Sequence, residues 1–477
     1  MRRRGFLRLA AMTGTAAATT SPWAIGCGDR VATAAGLPSS DEMMSWIGTI
    51  VARGIRRPGY PADRGIEGWA AERFSEFGLE DVHFEAVSLP SWEPHRAEVV
   101  LDPAGTRLTG MQMPHSATGS AEAELALLAG GPVEGRIAVH EFEPIVLPQA
   151  GARLLATSVY DPTGEFDTLQ QILPFDAAFN GVMEPAVAGG AAGMIGLLTG
   201  FPWETRDYYV PYDAVARPIP GIWLSGGDGR RLLERMSAGP VRARIEVEAD
   251  RRPITTNNVI GTLPGNSDEW VVVASHHDAP WASAVEDASG VSLVLAQARH
   301  WASVPRAERP HNLLFLLTSG HMAAGAGTAA FIASHADLLD RIVLEVHLEH
   351  AARRCDGVDG ELIPTDDPEV RWWFTSRNPR LEARVAEAIA AHDLRRSLIF
   401  RPEVFFENPP TDGALFHAAG VPLVQFLTAP MYLFDSRDTL DKIHQPSLES
   451  VSRATARIIA STREETAASM RAGVVGA

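Results

Sequence analysis

The chain has 477 residues, long enough for two to four domains. It is 45% hydrophobic and 21% charged, a balance that excludes wholesale disorder, collagen-like repeats and a polytopic membrane protein. Its 42 basic residues against 59 acidic ones leave a formal charge of −17, which excludes a general nucleic-acid binder because phosphate recognition needs basic surface.

The N-terminus reads as a targeting segment, residues 1–27. Arg3-Arg4-Gly5-Phe6-Leu7 precedes a weakly apolar stretch rich in Ala and Thr, and it resembles the twin-arginine signal that exports folded proteins from bacteria. Ala24-Ile25-Gly26-Cys27 resembles a lipobox, with Ala where Leu is usual. The two readings are lipidation at Cys27, giving a membrane-anchored extracytoplasmic protein, or cleavage nearby and a soluble one. Cutting before Cys27 removes four arginines and no acid, leaving a charge of −21. Any membrane attachment would then come from the lipid, not from a basic patch. The second cysteine, Cys355, reads as a packed thiol, so no disulfide framework is expected.

Helical apolar spacing follows at 41–55 and 63–78, joined by the turn-rich Gly54-Ile55-Arg56-Arg57-Pro58-Gly59. His83 to Val87 and Ala97 to Leu101 alternate as strands. The texture changes over 101–250, where turns lead into short strands at 137–139 and 241–247 and a helix at 227–236. Pro185 to Trp203 is long enough to raise the question of a membrane span, but its Gly-rich start reads better as a buried helix leading into a buried strand. From 251 onward strands alternate with helices. Strands are predicted at 258–261, 270–274, 313–317, 342–348 and 421–426, and helices at 289–302, 323–338, 381–392 and 448–460. Apolar strands in this alternation predict a three-layer α/β/α sandwich around a mixed, mostly parallel sheet. In such sheets chemistry sits where strand ends meet loops.

Those strand ends carry polar residues. Strand 270–274 runs into Ser275-His276-His277-Asp278, strand 313–317 into Thr318-Ser319-Gly320-His321-Met322, and strand 342–348 into Glu349-His350. Glu286-Asp287 opens the helix after the first of them, where Asp287 also reads as an N-cap. A lone His is ordinarily a satisfied core residue. Several loops delivering His, Asp and Glu to one rim suit a divalent ion, zinc first.

Asn257 to Gly265, Val271 to Asp278 and Glu286-Asp287-Ala288-Ser289-Gly290-Val291 resemble the core of metallopeptidase family 28, and Asp438-Thr439-Leu440-Asp441-Lys442-Ile443 resembles its C-terminal block. The region 40–100 resembles the start of that peptidase domain, 101–250 an inserted protease-associated (PA) domain, and 251–477 the main part. The resemblance implies a zinc exopeptidase-like fold that cleaves peptide or small amide substrates, with two zinc ions on five side chains. Carried over singly, His276 and Glu349 match private ligands of the first zinc and Asp287 the bridging carboxylate. Asp278 matches the residue that orients His276. His321 stands where the family has its general base. Met322 and Phe434 stand where it has the other ligands of the second zinc, so one zinc is expected, or two if other residues substitute. His350, Asp435 and Asp412 are additional candidates, although Asp412 reads first as an N-cap. His277 and His350, each beside a ligand, are expected to face away from the site by strand alternation.

Three functions follow. The first is a single-zinc, aminopeptidase-like hydrolase. The second is a catalytically degenerate homologue that binds rather than cleaves, an alternative that the departures at Met322 and Phe434 favour. The third, cyclisation of peptide N-termini, fits poorly because it needs the other metal set.

Overall fold

The computed structural model describes residues 36–472, so Arg3, Arg4 and Cys27 lie outside the described residues. Helix Ser40–Val51 starts at Ser39, whose side chain accepts from Glu42 N. Helix Pro61–Phe77 has proline in its first turn and ends at Gly78, which at φ +87° takes the left-handed conformation that closes such helices.

One 15-stranded sheet runs through the molecule. Its centre is parallel: Trp270–His276 lies between Asn312–Thr318 and Ile342–Leu348, and Leu423–Thr428 follows. Arg371–Thr375 then pairs antiparallel to Leu423–Thr428, and Ser397–Phe400 parallel to Arg371–Thr375. On the other side Arg242–Leu263 pairs antiparallel to Asn312–Thr318.

Alternation along the central strand separates two cores. Val271 and Val273 pack into the layer that holds helix Gly290–Ser303 and helix Gln445–Ala460, whereas Val272 and Ala274 face Phe331 and Phe416. All four strand residues are fully buried. The near-continuous apolar run therefore reflects burial on both faces.

The predicted strands at 83–87 and 97–101 are one 22-residue strand, Glu80–Leu101, and those at 241–247 and 258–261 are one strand, Arg242–Leu263. The two pair antiparallel along their length, with Pro90 opposite Pro253 and a register shift beside Pro94. Prolines and shifts of this kind break the local pattern without ending the ladder. This ribbon carries the sheet into residues 101–250, whose strands Gly119–Leu127, Ile137–Glu141, Gly193–Leu197 and Gly221–Leu224 extend it. Residues 184–197 form helix Glu184–Ala188 and strand Gly193–Leu197, and among the described residues no helix is long and apolar enough to cross a membrane. Ser158–Tyr160 pairs with Ser397–Phe400 at the far edge of the main sheet, so the region 101–250 touches the sheet at both ends. Cys355 is a buried free thiol pushed up to about 12 by burial. Trp372, Trp373 and Phe374 are buried in their strand.

Candidate metal centre

The C-terminal ends of the parallel strands converge on His276, Glu286, His321, Glu349 and His350, each at most 3% exposed. Two overlapping groups bring ligand atoms within 4.8 Å of one another: His276, Glu349 and His350, and His276, Glu286 and His321. Nε2 of His276 lies 3.3 Å from Glu286 Oε1, and Nε2 of His350 lies 2.6 Å from Glu286 Oε2 and 3.7 Å from Glu349 Oε2. Nε2 of His321 lies 3.7 Å from Glu286 Oε1.

Each imidazole is held by its other nitrogen. Nδ1 lies 3.0 Å from the Asp278 carbonyl oxygen in His276, 2.9 Å from the Thr428 carbonyl oxygen in His350, and 2.8 Å from Asp412 Oδ1 in His321. Fixing one nitrogen orients the ring and presents the other as a ligand. His347 Nε2 engages Glu349 Oε1 at 2.8 Å, leaving Oε2 turned to the cluster. His276 Nε2, both oxygens of Glu286, Glu349 Oε2 and His350 Nε2 are buried without a hydrogen bond of acceptable geometry. Converging nitrogens and carboxylate oxygens suit a borderline divalent ion, so this donor set fits zinc.

The charges agree with this. Burial, reinforced by neighbouring His321 and His350, drives the His276 imidazole well below its usual range and keeps it neutral, the ligand form. Burial opposes charge on His321, but Asp412 and Glu286 outweigh it and raise the imidazole to about 10. Burial would raise the Asp412 carboxyl, and His321 reverses this and holds it at about 2. His350 is raised to about 10, mainly by Glu286 working against burial. In the absence of a cation, His321 and His350 supply the positive charge among these carboxylates.

Other expected residues sit differently. Asp287 lies beside the cluster, with Oδ2 3.9 Å from His276 Nε2, but its oxygens are already engaged. They accept from the Ser275 hydroxyl and from the backbone N–H groups of Gly290 and His350, so Asp287 braces the loop, and Glu286 carries the free oxygens. The Asp278 side chain accepts from the backbone N–H groups of His321 and Met322, at 3.0 and 2.8 Å, while its carbonyl orients His276. Asp412 precedes helix Gly413–Ala418 without capping it; its carboxylate takes His321, Thr318 and Thr328 instead. Asp435 faces residues of the 101–250 region, accepting from Trp203 Nε1 at 3.2 Å, and contributes nothing to the cluster.

His277 faces away as alternation predicts, onto Asp63 and the Asn257 carbonyl. His350 does not. Its strand ends at Leu348, and at φ +52° His350 has left the extended conformation on which alternation depends. Glu286 was missed because its neighbour Asp287 took the motif position. Two further residues aim Glu286. Asp438 accepts its backbone N–H at 2.9 Å, and Arg56 donates to its carbonyl at 3.1 Å.

Met322 and Phe434 are buried. Tyr212 packs on Phe434 with ring centroids 5.2 Å apart and stacks on His321 at 5.4 Å, while His321 stacks on His276 at 3.9 Å. A chain segment from the 101–250 region thus covers the cluster.

An α/β sandwich with buried His and Glu donors at its parallel strand ends is the architecture of a metal-dependent hydrolase. Residues 258–459 match the sequence model of Peptidase family M28, so this part of the chain is similar to the metallopeptidases of that family. Its fold is similar to that of an aminopeptidase from Aneurinibacillus sp. strain AM-1, at 18% identity and TM-score 0.62, covering 90% of this chain and 94% of that one. It is similar to a peptidase M28 precursor from Shewanella amazonensis SB2B, at 18% identity and TM-score 0.66, covering 90% and 93%. It is also similar to BSAP, a zinc aminopeptidase from Bacillus subtilis, at 16% identity and TM-score 0.62, covering 92% and 100%. At such identities the likeness speaks for the fold. Comparison with curated protein sequences gave no match.

Proposed function

We propose that the protein is an exported, aminopeptidase-like zinc hydrolase of peptide or small amide bonds. The observation that carries this reading is the convergence of buried ligand atoms of His276, Glu286, Glu349 and His350, which meet only one another, at 2.6 to 3.7 Å. These four residues would hold one zinc ion, with Glu286 in the role the sequence suggested for Asp287. Zinc there supplies the Lewis acidity that amide hydrolysis needs. A divalent cation also takes over the balancing charge that His321 and His350 otherwise carry. His321 then serves as the proton acceptor, with Asp412 fixing its tautomer and Asp278 fixing its loop. Tyr212 must move off His321 for substrate to enter.

Elemental analysis should find about one zinc per chain, the number one set of this size holds. His321→Ala should keep that zinc and lower the hydrolysis of aminoacyl amides by about 10²–10⁴-fold. Retained turnover in His321→Ala would remove it as the base. A metal-free wild type, folded after zinc is offered, would favour the binding-protein alternative.

The export reading rests on Arg3-Arg4-Gly5-Phe6-Leu7, and the lipid anchor on Cys27. Arg3→Lys with Arg4→Lys should leave the precursor in the cytoplasm. Unchanged export of that variant would refute the twin-arginine route.

A further inference from the structure

Behind the cluster a row of buried polar groups runs along strand Ile342–Leu348. Glu345, His347 and Glu349 follow one another at a spacing of two, which places them on one face. All three are fully buried. His347 Nδ1 lies 3.0 Å from Glu345 Oε1, and its Nε2 lies 2.8 Å from Glu349 Oε1. Ionised carboxylates only accept, so the ring between them donates from both nitrogens.

The packing on this face gives no reason for charge. Leu344, Val346 and Leu348 fill the core on the opposite face. On the side of Glu345 and His347 the neighbouring strands present Val272, Ala274, Leu314 and Leu316, which pack with Phe331 and Phe416. The register partners of His347 are Ala274 and Gln425. Gln425 turns its Nε2 to the Pro410 carbonyl at 2.6 Å. Glu345 Oε2 is buried without a hydrogen-bond partner. Replacing a buried ion pair by packed apolar residues of similar volume is often neutral or stabilising. Stability therefore does not account for Glu345 and His347, whereas their place behind Glu349 does. His347 occupies Oε1 of Glu349, and Oε2 lies 3.7 Å from His350 Nε2, inside the cluster.

We propose that Glu345 and His347 are positioning residues that hold Glu349 as a one-oxygen metal ligand. Glu345 fixes the ring, the ring holds Oε1, and only Oε2 is offered to the ion. Without His347 the carboxylate is free to rotate or to offer both oxygens. Loss of a hydrogen-bond partner behind a ligand typically costs about 10–100-fold in metal affinity. This inference rests on the zinc hydrolase reading for its metal, but it is tested by binding and by a spectrum.

The experiment compares two substitutions in the full chain, read by zinc titration against a competing chelator and by the visible spectrum of the cobalt(II)-loaded protein. His347→Gln places an amide near the Nε2 position, where it can still donate to Glu349. His347→Asn places one near the Nδ1 position, within reach of Glu345 alone. A purely structural role would make the two alike, since each keeps one of the two hydrogen bonds. Positioning separates them. His347→Gln should bind zinc close to wild type and keep the wild-type cobalt spectrum. His347→Asn should bind zinc about 10–100-fold more weakly, with weaker cobalt bands as the second Glu349 oxygen raises the coordination number. Glu345→Leu, which frees the ring without touching Glu349, should move both readouts in the direction of His347→Asn. Equal behaviour of the two His347 variants, or wild-type values in His347→Asn or Glu345→Leu, would overturn the proposal. The expected separation without turnover of any peptide or amide by wild type would defeat the hydrolase reading alone; turnover with the two His347 variants alike would defeat the positioning role alone.

Discussion

His276 stands between two unlike surroundings. On one side Glu286, Glu349 and His350 turn oxygen and nitrogen atoms without hydrogen-bond partners toward it. On the other, His321 stacks against it, Tyr212 covers His321, and Phe434 and Phe179 continue the aromatic packing. Met322 extends this side toward a small cavity that it lines together with His115. A thioether is a poor zinc ligand and a phenyl ring is none. The comparison teaches that ligand-type atoms gather on one side of His276 only: a strand-end histidine, His350, adds a further nitrogen to that side. Aromatic and thioether packing fills the apolar side, and on the polar side His321 and His350 face the buried carboxylates with positive charge.

The largest effect should come from the polar side. His350→Ala and Glu286→Ala should each take zinc from about one per chain to near none in elemental analysis after gel filtration, as expected when one of few ligands is removed. Asp287→Asn should retain the metal more fully than Glu286→Ala, because Asp287 acts through Ser275, Gly290 and the His350 backbone. The opposite order would return the ligand role to Asp287.

A smaller change should follow from rebuilding the apolar side. Met322→Glu with Phe434→His replaces a thioether and a ring by ligands, and zinc content should rise from about one toward two. A double variant that folds and still binds one ion would show that Tyr212 and the packing around it, not the two side chains alone, exclude the second.

The smallest effect concerns the stability of the apolar side as the medium is acidified. Burial holds the His115 imidazole down to about 3. Between pH 6.5 and 3 the unfolded chain therefore binds the proton and the folded chain does not, so the contribution of His115 is complete above pH 6.5 and is lost as pH falls. The loss approaches about 3 kcal/mol at pH 4. Thermal melting should show His115→Asn losing less stability than wild type between pH 7 and 4. Parallel pH profiles would break the assignment.

Much of the fold was legible from local pattern. Apolar runs bounded by turns marked the central strands because a strand buried on both faces needs no polar positions, and the helix expected at 227–236 is helix Gly226–Ala238. The paired 22-residue strands were not, because Pro90, Pro94 and Pro253 interrupt the alternation while cross-strand pairing, a long-range contact, carries the ladder past them. The family resemblance in 257–291 and 438–443 pointed to these strand ends, and the fold gathers His276, His321 and Glu349 into one cluster with Glu286 and His350.

The sequence by itself determined the chemical kind of this protein: an acidic chain with an α/β alternation and histidines and carboxylates at successive strand ends. Only the tertiary structure decided which of two adjacent acids, Glu286 or Asp287, keeps its oxygens free, because that depends on Asp438 and Arg56, which lie 152 and 230 positions from Glu286 in the chain. It also decided that His350 turns inward, since the end of a strand and a positive φ are set by what surrounds the backbone and not by residue type alone. Likewise Asp412 became the partner of His321, not a helix cap, because the fold brings residues 91 positions apart within hydrogen-bond distance, and a short, strong contact to a buried imidazole outweighs a local one to the backbone.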